Sequence, residues 1–365
     1  MEQERFDQLA DRFEEARDSN GDPLRMHALL VGQGERQFVH RFGGRTGPSD
    51  IRSLSKTVLT LIAGTLAARD PSFGLETAVW ELLEPAVERS WVAGATRAYS
   101  GVFPGGAFSN AAPPSGSTLS DGALTAQREP AWRDPKNQER WKQVRVKHLI
   151  SHTTGFDQVL MMRGDIKDLD PASLLSYVAG SPLKHEPGQH YLYSNAGFYL
   201  LSAFLELYLS SHGQGSLEDF AREAFFEPLG IDDWSWEKYG DYLAGATRLW
   251  LNPEDVGKIG HLLLAEGRIG GDTGRQLVPR EWVQYMRTPT ALTPGVETMK
   301  NDRFRRHAYG SGLWVGAKEG IFFGHGTGGQ TLLVLPQCNA VVVTLADQGD
   351  VKSLEEVVEQ VAQAL

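Results

Sequence analysis

Cysteine is all but missing from this chain. Its 365 residues include one, Cys338, so no intramolecular disulfide can form and nothing points to an oxidising compartment; the thiol reads as a buried structural group. Basic residues are also in deficit, 36 Lys and Arg against 46 Asp and Glu, for a formal charge of −10. Nucleic acid and anionic membrane both demand a basic face that displaces counterions, so neither is an expected partner. Apolar runs are all far too short to span a bilayer. The opening stretch, MEQERFDQLADRFEEARDSN, is charged throughout and holds no apolar core of signal-peptide type. The expected location is the cytoplasm.

What the chain does have is apolar content, 41% by residue, enough to bury a substantial core. Phe6, Leu9, Ala10, Phe13 and Ala16 recur at helical spacing, and so do Leu354, Val357, Val358, Val361 and Leu365, which predicts an amphipathic helix at each end of the chain. MHALLVGQGERQFVHRFGG reads as a hairpin about Gly-Gln-Gly. SGLWVGAKEGIFFGHGTGGQTLLVLPQCNAVVVTLAD gives three or four further strands, punctuated at Lys318 to Gly320, Gly324 to Gly329 and Pro336 to Asn339. The fold class is α+β: an antiparallel sheet built from sequence-distant segments, flanked by the terminal helices, with a mostly helical insertion. The sheet part covers 1–70 and 240–365 and the helical part 71–239. Residues 92–131, rich in Gly, Ala, Ser and Pro without a steady period, read as a long loop, either a functional lid or a disordered segment.

The tetrad Ser-x-x-Lys occurs three times, as Ser53 to Lys56, Ser181 to Lys184 and Ser235 to Lys238. A serine activated by a lysine needs a rigid mount, a helix start that favours negative charge, and a dry site that keeps the amine from being an ordinary solvated cation. SLSKTVLTLIAGTLAARD is apolar nearly all round and so predicts a buried helix, with Lys56 one turn above Ser53 and both near the positive end of the macrodipole. Ser181 stands in a loop-like AGSPLKHEPGQ and Ser235 in a charged DDWSWEKYGD. Position alone leaves Ser53 either a helix cap or a nucleophile. HYLYSNAGFYLL adds Tyr193 and Asn195 at a second apolar helix. The glycine-rich block from His325 to Gly329 is either a flexible turn or a backbone that approaches a ligand closely.

In that order, Ser-x-x-Lys, Tyr-x-Asn and the glycine-rich block resemble the serine beta-lactamase and penicillin-binding-protein superfamily. More narrowly they resemble class C beta-lactamase-like esterases and 6-aminohexanoate-dimer hydrolases. VKHLISHTTGF, FFEPLGIDD, LNPEDVGKIGHLLLAEG and YGSGLWVG support the likeness, which runs from about residue 26 to 346. The resemblance implies a serine hydrolase acting on small esters or amides, with Ser53 as the acylated nucleophile and Lys56 and Tyr193 as a proton relay. It also implies oxyanion donors in the backbone N–H groups of Ser53 and Gly328, supporting roles for Asn195, His325 and Thr327, and no metal or cofactor.

His325 stands where lactamases of the superfamily carry the lysine of Lys-Thr-Gly. A neutral imidazole clamps a carboxylate less firmly than an ammonium, which favours neutral esters or amides over beta-lactams and D-amino-acid peptides, the alternative on the same site. A non-catalytic binding protein on the same fold is the alternative of another class. Trp91, Tyr99, Phe103, Phe108 and Trp132 would suit an apolar acyl group, or are plain core. No serine has glycine at both flanking offsets, so the Gly-x-Ser-x-Gly elbow is missing. His148 and His152 stand four apart, but no Glu follows His148, and the pair reads as structural.

Overall fold

The computed structural model describes the chain apart from residues 35, 101–129, 168, 271–273, 291, 292, 294–305 and 317–319. Seven strands form one antiparallel sheet: β1 (Met26–Gln33), β2 (Arg36–Arg41), β3 (Arg306–Tyr309), β4 (Trp314–Gly316), β5 (Phe322–Gly326), β6 (Gln330–Leu335) and β7 (Ala340–Ala346), in the order β3-β4-β5-β6-β7-β1-β2. β1 lies between β7 and β2, paired from Met26 opposite Ala346 to Gln33 opposite Ala340. The N-terminal hairpin and the C-terminal meander are thereby sewn into one surface. β3 was not legible as a strand; it is short, at the edge, and its pairing with β4 slips at Arg306/Ala308.

Both faces of the sheet are covered, so β7 is buried at every position instead of alternating. Alternate residues of β1 part to opposite sides. Leu29 and Val31 join Phe6, Leu9 and Phe13 of helix α1 (Gln3–Glu15) and Leu354, Val358 and Val361 of the C-terminal helix Lys352–Ala364. Leu30 faces the other way, into a cluster with α2 (Ser55–Arg69) and the helices of the middle segment. There α5 (Ala196–Ser211) packs on α2, whose residues from Ser55 to Leu66 are all buried, and α3 (Trp80–Ser100) and α4 (Leu174–Gly180) pack on each other and on α5, while α6 (Pro253–Leu264) lies across β6, β7 and β1. The C-terminal helix is α7. A small sheet, ordered Ser49–Asp50, Leu249–Leu251, Ser235–Trp236, lies directly before α2. No helix among the described residues is long and apolar enough to cross a membrane.

Two expectations need correction. The loop expected from residue 92 does not begin there: α3 continues to Ser100, since the alanines of VAGATRAYS sustain the helix despite Gly94. Residues 101–129 of that loop, with Phe103 and Phe108, lie outside the described residues, and Ala131 opens a 3-10 turn, Ala131–Arg133. Cys338 is half-buried, because it sits in the turn Pro336–Cys338 between β6 and β7.

Candidate active site

Ser53 does not stand on the α-helix itself. It is the middle residue of a 3-10 turn, Arg52–Leu54, that feeds α2. The turn is entered through Arg52 in the left-handed region, φ 53, a conformation that costs a non-glycine residue about 1–2 kcal/mol. Neighbours hold it there. Arg52 N–H donates to Asp50 Oδ1 at 2.9 Å, its guanidinium meets Asp347 Oδ1 at 2.9 Å, and Ser55 Oγ donates to its carbonyl at 2.6 Å. Ser53 caps neither helix; its Oγ instead accepts from Lys56 Nζ at 3.1 Å, as one helical turn of separation requires.

Lys56 is 1% exposed. Besides Ser53, its amine donates to Asn195 Oδ1 at 2.8 Å and to the Ala246 carbonyl at 3.2 Å. Asn195 Nδ2 donates to the Met161 carbonyl at 2.9 Å, which fixes the amide with its oxygen toward the lysine. Two of the three amine contacts are therefore to groups that can only accept. The third direction, toward Ser53, carries an N–H in the ammonium and a lone pair in the neutral amine. Burial pushes the Lys56 pKa down, and the neighbouring Tyr193 phenol opposes the shift.

Tyr193 lies in the irregular segment that leads into α5 and Asn195 at the N-cap of that helix, and both reach Lys56. Ser194 points the other way, donating to the Leu160 carbonyl at 2.9 Å and anchoring the segment. The Tyr193 ring lies 5.0 Å from Lys56 Nζ, stacked on Trp314 at 5.9 Å and edge-on to Tyr309 at 5.7 Å. His152 packs 4.4 Å from it, and burial together with the Lys56 charge holds its imidazole well below its ordinary pKa. The spacing of His148 and His152 does not fall on one helix face. The helix ends at Ile150, and His152 follows it in the left-handed region at φ 60.

The glycine-rich block splits in two. Strand β5 continues through Gly326, so His325 is a strand residue between two glycines. A Cβ at Gly324 would meet Leu54 Cδ1 and Thr57 Oγ1, and one at Gly326 would stand 2.7 Å from the Ile51 carbonyl. The bare side of β5 is thus pressed against the serine turn, which only glycine permits. His325 faces the opposite side, its Nε2 3.4 Å from Glu355 Oε1 on α7.

A cavity of about 590 Å³ collects Ser53, Tyr193, Asn195, His325 and Thr327 on its walls. Gly328 is not among its lining residues; it belongs to the turn after β5, beside Ala346 and Gln348, and its carbonyl accepts from Gln348 N–H at 2.9 Å. The other tetrads stay outside the cavity: Ser181 donates to the Tyr177 carbonyl at 3.3 Å, and Ser235 is an exposed strand residue. Trp91 and Trp132 pack edge-on at 5.6 Å in the helical part and do not line it either.

The Beta-lactamase family model matches residues 28–365. The chain belongs to the beta-lactamase family. Among solved structures the fold recurs in EstCE1, a hydrolase with promiscuous acyltransferase activity (15% identity, 97% of this chain and 99% of that one, TM-score 0.62). It recurs in a D-amino acid amidase from Ochrobactrum anthropi SV3 (15%, 98% and 98%, 0.58) and a penicillin binding protein from Bacillus halodurans (15%, 98% and 99%, 0.56). No curated protein matches in sequence. At these identities the likeness is one of fold, and a hydrolase is the coarse function the family supports.

Sequence reasoning missed several members of the site. Asp50 and Arg52 line the cavity beside Ser53, and Arg248, at φ 66, lines it from just before the strand Leu249–Leu251. Asp50 and Arg52 flank the tetrad in DIRSLSK and could have been weighed with it. Nothing local marks Arg248.

Proposed function

We propose that the chain is a serine hydrolase that cleaves carboxylic esters or amides through an acyl-enzyme on Ser53. The carrying observation is the buried Lys56 amine, which donates to two obligate acceptors and to Ser53 Oγ with the Tyr193 phenol beside it. With the amine neutral, its lone pair faces the hydroxyl and can take the proton as Oγ attacks the carbonyl carbon. The Tyr193 phenol, beside the same amine, passes a proton to the departing alkoxide or amine. Water then attacks the acyl carbon and the proton returns by the same route, releasing the acid. Each proton is carried by a side chain of the site. Burying an amine costs stability that its hydrogen bonds must offset, and an apolar side chain would fill the same space without that cost, which favours a chemical role over a purely structural one.

In this reading the oxyanion is met by the Ser53 N–H and by an amide at the Gly326–Thr327 end of β5, next to the serine turn, in place of Gly328. The helical part, 71–239, supplies Tyr193 and Asn195, and the sheet part, 1–70 and 240–365, supplies Ser53, Lys56 and His325, so the cleft lies where the two proposed parts meet.

The test is hydrolysis of p-nitrophenyl acetate and butyrate, with nitrocefin as the lactam arm, by the wild type and Ser53→Ala, together with fluorophosphonate labelling. Ester turnover lost by at least about 10³-fold in the variant, with the label on Ser53, is the expected result. Full activity in Ser53→Ala, or a label on another serine, removes Ser53 from the reaction.

A further inference from the structure

We propose that the cleft selects acyl groups without a negative charge, because the protein already supplies a carboxylate to each cationic side chain that lines it among the described residues. This rests on the reading of Ser53 as the nucleophile. Among the described residues on the cleft walls, the side chains able to hold positive charge are Arg52, Arg248 and His325. Arg52 meets Asp347 at 2.9 Å. Arg248 has Asp50 Oδ2 at 3.3 Å and Glu237 Oε2 at 3.8 Å. His325 has Glu355 at 3.4 Å. Behind the wall, Lys56 directs its amine at Ser53, Asn195 and the Ala246 carbonyl.

Four carboxylates thus stand against two guanidiniums and one imidazole. A guanidinium has donors to spare for a second acceptor, but a second carboxylate there meets the charge of the first at short range, and the pairwise gain is largely cancelled. The pairs are also held in place by the backbone. Arg248 is fixed in the left-handed region, and Asp50 uses its other oxygen to accept from Arg52 N–H, so the carboxylate that neutralises Arg248 also holds the serine turn. Glu237, which does not touch the serine turn, and Asp347, which reaches it only through the Arg52 guanidinium, are the specificity-determining residues open to substitution.

The experiment compares p-nitrophenyl valerate with mono-p-nitrophenyl glutarate, a matched pair in which a terminal methyl becomes a carboxylate. The wild type is expected to favour valerate at least about tenfold in kcat/KM. Asp347→Asn and Glu237→Gln are each expected to raise the glutarate-to-valerate ratio about fivefold, the scale of a rim ion pair. Added salt should raise the wild-type ratio, because screening weakens repulsion; a guanidinium clamp on the substrate carboxylate would make salt lower it. The ratio is internal to each variant, so partial loss of folded protein does not alter it. Glutarate keeping pace with valerate in the wild type, or a ratio that neither substitution moves, overturns the inference alone. If neither ester is turned over and Ser53 is not labelled, the reading of Ser53 falls and this inference falls with it.

Discussion

Lys56 is the residue on which pH should act most directly. Burial lowers its pKa from the ordinary lysine value of 10.5, against the opposing pull of Tyr193, and the proposed base is the unprotonated amine. That form grows as pH rises, so kcat/KM for a p-nitrophenyl ester should climb with pH and level off below 10.5. Lys56→Met keeps the bulk and removes the lone pair, and is expected to lose about 10²–10⁴-fold; a variant with the wild-type rate and profile would take Lys56 out of the chemistry. At this scale much was legible in the sequence, because a spacing of three, carried from the 3-10 turn into the buried helix, brings Ser53 and Lys56 together. What was not legible was the backbone. Nothing in DIRSLSK announces that Arg52 takes φ 53 or that Asp50 accepts from its amide. The resemblance implies Gly328 as an oxyanion donor by its position in the motif, and nothing in the glycine run announces that β5 runs on to Gly326.

Among the elements, the helices declared themselves and the small pieces did not. α2 and α5 are apolar nearly all round, which a sequence shows directly, while two-residue strands such as Ser49–Asp50 leave no period to read. The short helix Val146–Ile150 shows what such pieces depend on. Its start is satisfied by His148, whose Nδ1 accepts from Arg145 N–H at 3.1 Å. Burial, with Lys147 nearby, depresses the His148 pKa from 6.5 to about 4. Protonation would both charge a largely buried ring and destroy the acceptor. Since the folded pKa lies below the unfolded one, this contribution is complete above pH 6.5 and is lost as pH falls toward 4. Discounted for partial exposure, it amounts to about 2 kcal/mol. Urea unfolding at pH 7.5 and 4.5 should show His148→Asn, which accepts but does not titrate, losing less stability between the two than the wild type. An equal loss in both proteins would place the acid sensitivity elsewhere.

At the scale of the whole molecule, the decisive join is the one between β1 and β7, whose paired residues stand more than three hundred positions apart, as Met26 and Ala346 do. Each hairpin on either side of it is local and was readable as such; the join follows from no local pattern, and only the expectation of one sheet from distant segments anticipated it. The consequence is that the C-terminal helix, remote in sequence, supports the site. Leu354 of α7 is fully buried, and its Cδ1 lies 2.6 Å from where a Cβ at Gly329 would stand, so α7 backs the turn that follows β5, while Glu355 beside it meets His325. Leu354→Ala should cost about 2–5 kcal/mol through the cavity it leaves, read as a lower urea midpoint with an unchanged slope. If α7 supports the site and not the sheet alone, the variant at full folding should also lose ester turnover, since relaxing the turn loosens the Gly326 backbone set against Ile51 and Arg52 at the serine turn. A loss of stability with wild-type kcat/KM in the folded fraction would confine α7 to the core.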